Sequence, residues 1–124
     1  MSDKTYVNQV VYAWEENYKK GLLTFWILLA IYNGPKYVRQ IKTYIESDIE
    51  TNFTVDEKSL YRSIARFKKM NLIVEHDEPS TKGGPTLKVY QLSPQGREAL
   101  KLFYERNIKQ IFLTEQFINE TKGL

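Results

Sequence analysis

Four cations in one short stretch, Lys58, Arg62, Arg66 and Lys69, recur at steps of three and four. If the stretch is helical, successive residues turn by about 100°, which gathers all four within an arc of about 80°. Leu60, Ile64 and Phe67 fall within about 60° of one another on the opposite side. One face is therefore basic and the other apolar. A basic outer face suits duplex DNA, because arginine donates two parallel hydrogen bonds to guanine in the major groove and lysine neutralises phosphate. Ser59 and Tyr61 neighbour the stripe, and Lys82 and Lys88 follow in a segment that could reach the DNA backbone alongside. A charged face on one helix is most often only a solvated face, so the stripe needs a framework before it carries a function.

Little else in the chain could do chemistry. There is no cysteine among the 124 residues, which excludes disulfide frameworks, thiolate zinc sites and cysteine nucleophiles, and fits a reducing cytoplasm. The one histidine, His76, lies between Glu75 and Asp77 in a strand-like run. Alternate strand residues face opposite sides, so these three do not converge on one ion. Ser59 and Ser63 have no histidine nearby in sequence, and Glu46, Asp48 and Glu50 belong to a polar connection. Lys82-Gly83-Gly84 lacks the spacing of a phosphate-binding loop. We expect no catalytic residue, no metal and no cofactor, and hence no enzyme.

The elements that must position the stripe follow from periodicity. Val7, Val10, Val11, Trp14 and Tyr18 share one face of a short N-terminal helix, which Gly21 should interrupt. A second helix, Leu22 to Tyr32, is apolar nearly all round, as expected of an enclosed element, and Asn33-Gly34-Pro35 stops it. A third, Lys36 to Ser47, places Tyr37, Ile41, Tyr44 and Ile45 together and leaves Arg39 and Lys42 outside. Thr54-Val55-Asp56-Glu57 matches a capping box opening a fourth helix, 54–70, whose dipole the two acids complement. Leu72 to Asp77 and Leu87 to Leu92 read as paired strands joined by a Gly- and Pro-rich loop, 78–86. Ser93-Pro94 supplies an N-cap and first-turn proline for a last helix reaching about Glu120. That helix would span roughly 37 Å, longer than a small core can cover. Its apolar residues Phe103, Ile108, Ile111, Phe112 and Ile118 should therefore meet a second chain.

The fold class is mainly α with a small β-hairpin (α+β), a winged helix-turn-helix with N-terminal and long C-terminal helical extensions. One compact unit divides into an N-terminal helix for dimer packing (1–20), a winged-helix DNA-binding domain (21–93) and a C-terminal dimerisation helix (94–124). A formal charge of +3 is too small by itself to identify a polyanionic partner. The longest apolar run, Leu22 to Tyr32, is interrupted by Thr24 and falls short of the roughly 20 residues of a membrane span. Met1 to Thr5 lead into an amphipathic segment without a signal-peptide pattern, so a cytoplasmic location is expected.

The run from Lys58 to Ile73 resembles the recognition-helix signature of PadR-type transcriptional regulators: a central Leu60-Tyr61 pair, Ile64 and Phe67, the turn residue Asn71, then Leu72-Ile73. Tyr37 with Ile41, Gly83-Gly84-Pro85 with Lys88-Val89-Tyr90, and Leu92-Ser93-Pro94-Gln95-Gly96 extend the resemblance over about Gly21 to Leu102. It departs at Asn71 and Val38, where relatives carry glycine, and at Thr86-Leu87-Lys88, where they are often more basic. The resemblance implies a dimeric repressor of a palindromic operator, with the C-terminal helix packed on its partner, Tyr61 on the DNA side and Tyr90 bracing the wing. It also implies a flat hydrophobic effector held between aromatic side chains, for which Trp14 and Trp26 are the candidates. Aromatic residues at helical spacing more often pack a core or interface. The alternative function is a winged helix whose basic face docks an acidic protein and never reads DNA.

Overall fold

The structure is a computed structural model that describes residues 4–124; Met1, Ser2 and Asp3, at the start of the stretch read as lacking a signal peptide, lie outside the described residues. Helix α1 runs unbroken from Lys4 to Tyr32. The expected interruption at Gly21 does not occur. Gly21 is exposed with open space around it, and a single glycine costs a helix only about 1 kcal/mol against alanine. The C-terminal half of α1 is buried through Phe25, Ile27, Leu28, Ala30 and Ile31. Its N-terminal half has no buried residue and leaves Tyr6, Val7, Val10, Val11, Trp14 and Tyr18 exposed.

Helix α2 is Val38–Thr43 and continues as a π-helical turn, Tyr44–Asp48. It starts later than the expected Lys36 because that residue is taken up by the hairpin: Lys36 N–H donates to Tyr90 O at 3.2 Å and Tyr90 N–H returns to Lys36 O at 2.9 Å. Ile41 and Ile45 are fully buried, and Tyr37 and Tyr44 are half-buried beside them.

Helix α3 spans Glu57–Lys69. The capping box expected at Thr54 is not formed. Val55 is 3% exposed and its N–H donates to the Glu46 carboxylate at 2.5 Å, which keeps this stretch of chain outside the helix. Asp56 caps instead, accepting from Ser59 N–H at 3.2 Å. At the other end Asn71 takes φ +59, and the N–H groups of Asn71 and Leu72 donate to Lys68 O and Phe67 O at 3.1 and 2.9 Å. This is the left-handed stop usually given to glycine, which asparagine enters at modest cost.

Strands β1 (Ile73–Glu78) and β2 (Leu87–Leu92) form an antiparallel hairpin with Ile73 opposite Leu92 and Glu78 opposite Leu87. The loop between them turns on Gly83 and Gly84, at φ +73 and +97. Helix α4 (Pro94–Tyr104) opens on Ser93, whose hydroxyl accepts from Gly96 N–H at 3.0 Å.

The single long C-terminal helix is a further correction. A π-helical turn, Glu105–Lys109, follows α4, then a short α5 (Gln110–Phe112), a break at Leu113 and Thr114, and α6 (Glu115–Thr121). Thr114 is extended and its hydroxyl accepts from Phe117 N–H at 3.1 Å. A good N-cap in mid-sequence starts a new helix in place of continuing the old one.

The core sits where α1, α2 and α3 cross. Ile27, Ile41, Ile45, Leu60 and Phe67 are its largest fully buried side chains, closed by Ile73, Tyr90 and Leu92 of the hairpin and Leu100 of α4. The inner face of α3 is therefore Leu60, Ile64 and Phe67, as the spacing predicts. Among the described residues no helix is long and apolar enough to cross a membrane.

Candidate nucleic-acid interface

The stripe on α3 is held out of the core by what holds α3. The helix enters through a two-ended clamp: Lys42 Nζ donates to Val55 O at 2.6 Å and to Glu46 at 2.9 Å, while Glu46 accepts from Val55 N–H. That backbone hydrogen bond, then Lys42, holds the Glu46 carboxyl below its ordinary pKa. From the α1 side, Lys19 donates to Asn52 O at 3.1 Å and stands over the Phe53 ring, against which Trp26 packs edge-on.

With α3 so fixed, Lys58, Arg62, Arg66 and Lys69 are all exposed, and none of them forms an ion pair with another described residue. The four do not share one direction. Arg62 and Arg66 line a cleft toward α1, whereas Lys58 and Lys69 do not. Ser59 is half-buried and shares the Asp56 cap; its hydroxyl accepts from Arg62 at 3.2 Å. Tyr61, 57% exposed, lies on the opposite flank.

That flank faces a cleft of about 530 Å3 between α2, α3 and the hairpin, lined by Tyr37, Arg39, Tyr61, Lys82, Lys88 and Tyr90 among others. Arg39 and Tyr37 were not assigned to the site from sequence. Their signal was the outward position of Arg39 at the start of α2, which only the hairpin's location turns into a site residue.

The two wing lysines differ. Lys82 is exposed in the loop. Lys88 pairs with Asp77 at 2.8 Å and with Glu75 at 3.7 Å, and Asp77 first of all raises its pKa. Glu75 is shared with Lys68, at 2.9 Å, whose hydrogen bond is the main cause of its lowered pKa. Tyr90, 4% exposed beneath this pair, is pushed up to about 12 by burial and then by Glu75.

His76 stands 3.1 Å from Glu78, on the other face of the hairpin from Glu75 and Asp77. Among the described residues no group of acids and histidine is placed to hold a metal ion.

Trp14 and Trp26 are not brought together within the chain. They lie twelve residues apart on one straight helix, about 18 Å along its axis. Trp14 is 72% exposed, while Trp26 packs between Phe25 and Phe53 with its indole N–H buried and unpartnered. Of the residues expected to meet a second chain, Ile111, Phe112 and Ile118 are exposed. Phe103 is exposed too, with its ring centroid 5.6 Å from that of Phe25, whereas Ile108 packs on the chain's own core.

A basic helix presented by a three-helix core, followed by a hairpin and loop at its flank, defines a winged helix-turn-helix protein. The sequence profile of the Transcriptional regulator PadR-like family matches residues 27–102, and the chain belongs to that family.

Solved structures agree. A PadR-like transcriptional regulator from Bacillus cereus is 30% identical, with a TM-score of 0.61 over 70% of this chain and 82% of that one. A transcriptional regulator from Clostridium thermocellum is 24% identical, with a TM-score of 0.66 over 85% and 97%. Bacillus subtilis PadR, solved in complex with operator DNA, is 16% identical with a TM-score of 0.63 over 80% and 56%, a likeness of fold. A comparison with curated proteins gives no match.

Proposed function

We propose that this chain is a sequence-specific repressor that binds duplex DNA as a homodimer, with α3 in the major groove and the 78–86 loop as wing. The observation that carries the reading is the outer face of α3, where Lys58, Arg62 and Lys69 are exposed on a helix capped by Asp56 and form no ion pair with another described residue. Arg62 and Arg66 are the base-reading candidates; Lys58, Ser59, Tyr61 and Lys69 supply phosphate and edge contacts. Lys82 and Lys88 serve the backbone beside them. The operator complex of Bacillus subtilis PadR supports the choice of duplex DNA as partner. Two recognition helices should lie about 34–36 Å apart, one turn of duplex.

Exposed apolar side chains at both ends support the dimer: Val7, Val10 and Trp14 on α1, and Ile111, Phe112 and Ile118 beyond α4. An effector pocket using Trp14 and Trp26 would need both chains of such a dimer. The protein-docking alternative is favoured by one observation, the neutralisation of Lys88 by Asp77 and Glu75, which weakens the wing as a DNA contact.

Fluorescence anisotropy with duplexes from the gene's own upstream region and with scrambled duplexes, across a salt series, tests the reading. Preference for the native duplex should be lost by roughly 1–3 kcal/mol in Arg62→Ala. Equal binding to any polyanion, unchanged in the variant, would favour the docking module.

A further inference from the structure

On the α1 side of α3 lies a second, smaller cleft of about 230 Å3, whose polar lining is Lys20 and Thr24 of α1 and Ser59, Arg62, Ser63 and Arg66 of α3. Each set steps by three and four, so two helix ridges face one another across the gap. Three cations meet there and no carboxylate lines the cleft. None of the three forms an ion pair with another described residue.

Two acids, Glu16 and Asp56, line the adjoining groove and are otherwise engaged. Asp56 accepts the Ser59 N–H and hydroxyl at 3.2 and 3.3 Å, and Glu16 lies beside the Tyr12 hydroxyl, whose pKa its hydrogen bond raises. Ser63 is 6% exposed and lines the same cleft. Three like charges meeting in one cleft with no carboxylate among its lining residues repel one another, and an anion would relieve that repulsion. A phosphate group suits the cleft best, since its several oxygens accept forked arginine bonds, a lysine and a hydroxyl at once.

We propose that this cleft binds a phosphate group through Lys20, Arg62 and Arg66, with Ser63 as a further donor. The group is either a backbone phosphate of the duplex, which rests on the DNA-binding reading and gives Arg62 and Arg66 to the backbone in place of base edges, or the phosphate of a free small molecule, which does not. In both cases it ties α1 to α3. A free phosphate ligand also draws Arg62 and Arg66 away from the duplex, so its binding opposes that of DNA.

Lys20→Gln tests the site, because Lys20 is exposed, belongs to α1 and is no part of the α3 stripe. Thermal melts of the full chain in inorganic phosphate and in pyrophosphate are compared with chloride at equal ionic strength. Duplex binding by wild type and variant is measured over a salt series. A phosphate-specific rise in Tm that Lys20→Gln loses establishes a free-phosphate site; general salting effects act on both proteins alike. A salt slope lower by about one in the variant, with sequence preference intact, establishes a backbone phosphate. Phosphate protection without duplex binding at any salt would sink the DNA reading and leave the site standing. Equal melting in all salts together with an unaltered slope, or no duplex binding, overturns the proposal.

Discussion

Gly96 lies so close to Leu72 that a Cβ on the glycine would stand 2.0 Å from the Leu72 carbonyl oxygen and 2.9 Å from its carbonyl carbon. The approach closes a knot where the end of α3, the base of the hairpin and the start of α4 meet. Ser93 N–H donates to Leu72 O at 3.0 Å, and its hydroxyl donates to Asn71 O while accepting from Gly96 N–H. The obstruction is backbone, so no flexible side chain can swing away. Gly96→Ala should therefore cost about 3 kcal/mol, the upper end of the usual range for overpacking. A urea midpoint equal to that of the wild type would show that the knot opens without penalty.

Much of this knot was legible in the sequence. Ser93-Pro94 announced the start of α4, and Asn71 stood where a left-handed stop belongs. The inner face of α3 was equally plain, since Leu60, Ile64 and Phe67 follow the helical period. What failed was local signal overruled from a distance. Thr54 and Glu57 have capping-box spacing, but Val55 between them is tied to Glu46 nine residues earlier, and the cap moves to Asp56. Gly21 and Thr114 show the converse, a presumed breaker that the helix passes through and a cap hidden inside an apolar period. At the site, the neutralised Lys88 was recoverable from the hairpin register, which sets Asp77 directly opposite. Arg39 was not, because its role depends on where a hairpin much later in the chain folds back.

The clamp at the entrance to α3 makes stability depend on pH. The folded pKa of Glu46 is lowered, by Val55 N–H and then Lys42. Its contribution is thus present above the unfolded carboxylate value of about 4.3 and is lost as pH falls through the folded value. Glu46→Gln keeps an acceptor but removes the charge, and should lower stability by about 1 kcal/mol at neutral pH. Urea unfolding of both proteins from pH 7 downward should show the difference shrinking below about pH 4. A constant gap would mean that the carboxylate charge contributes nothing.

Freeing the wing lysine should strengthen DNA binding. Lys88 is held by Asp77 at 2.8 Å and more loosely by Glu75 at 3.7 Å. Asp77→Asn removes the nearer competitor for its charge, together with one negative charge beside the duplex. Affinity should rise on native and scrambled duplexes alike, and the slope of log K against log salt should steepen by about one. Weaker binding, or a change confined to the native duplex, would mean that Asp77 positions the wing and does not merely mask it.

The residues after α4 should govern assembly more than folding. Buried core positions end at Leu100, with Tyr104 and Ile108 packed on the core's margin, whereas Ile111, Phe112, Leu113 and Ile118 face outward. A chain shortened after Arg106 gives up the packing of Ile108 but keeps every buried core residue. It should still unfold cooperatively, at a slightly lower temperature, while sedimentation velocity changes from dimer to monomer. Ile111→Ser combined with Phe112→Ser separates the two effects, since neither residue lies in the core: the dimer should dissociate with Tm extrapolated to low concentration unchanged. If, as proposed, two α3 helices together read a palindromic operator, the same variant should lose affinity for the full operator far more than for a half-site. A double variant that still sediments as a dimer would move the interface to the exposed apolar stripe of α1, from Val7 to Trp14.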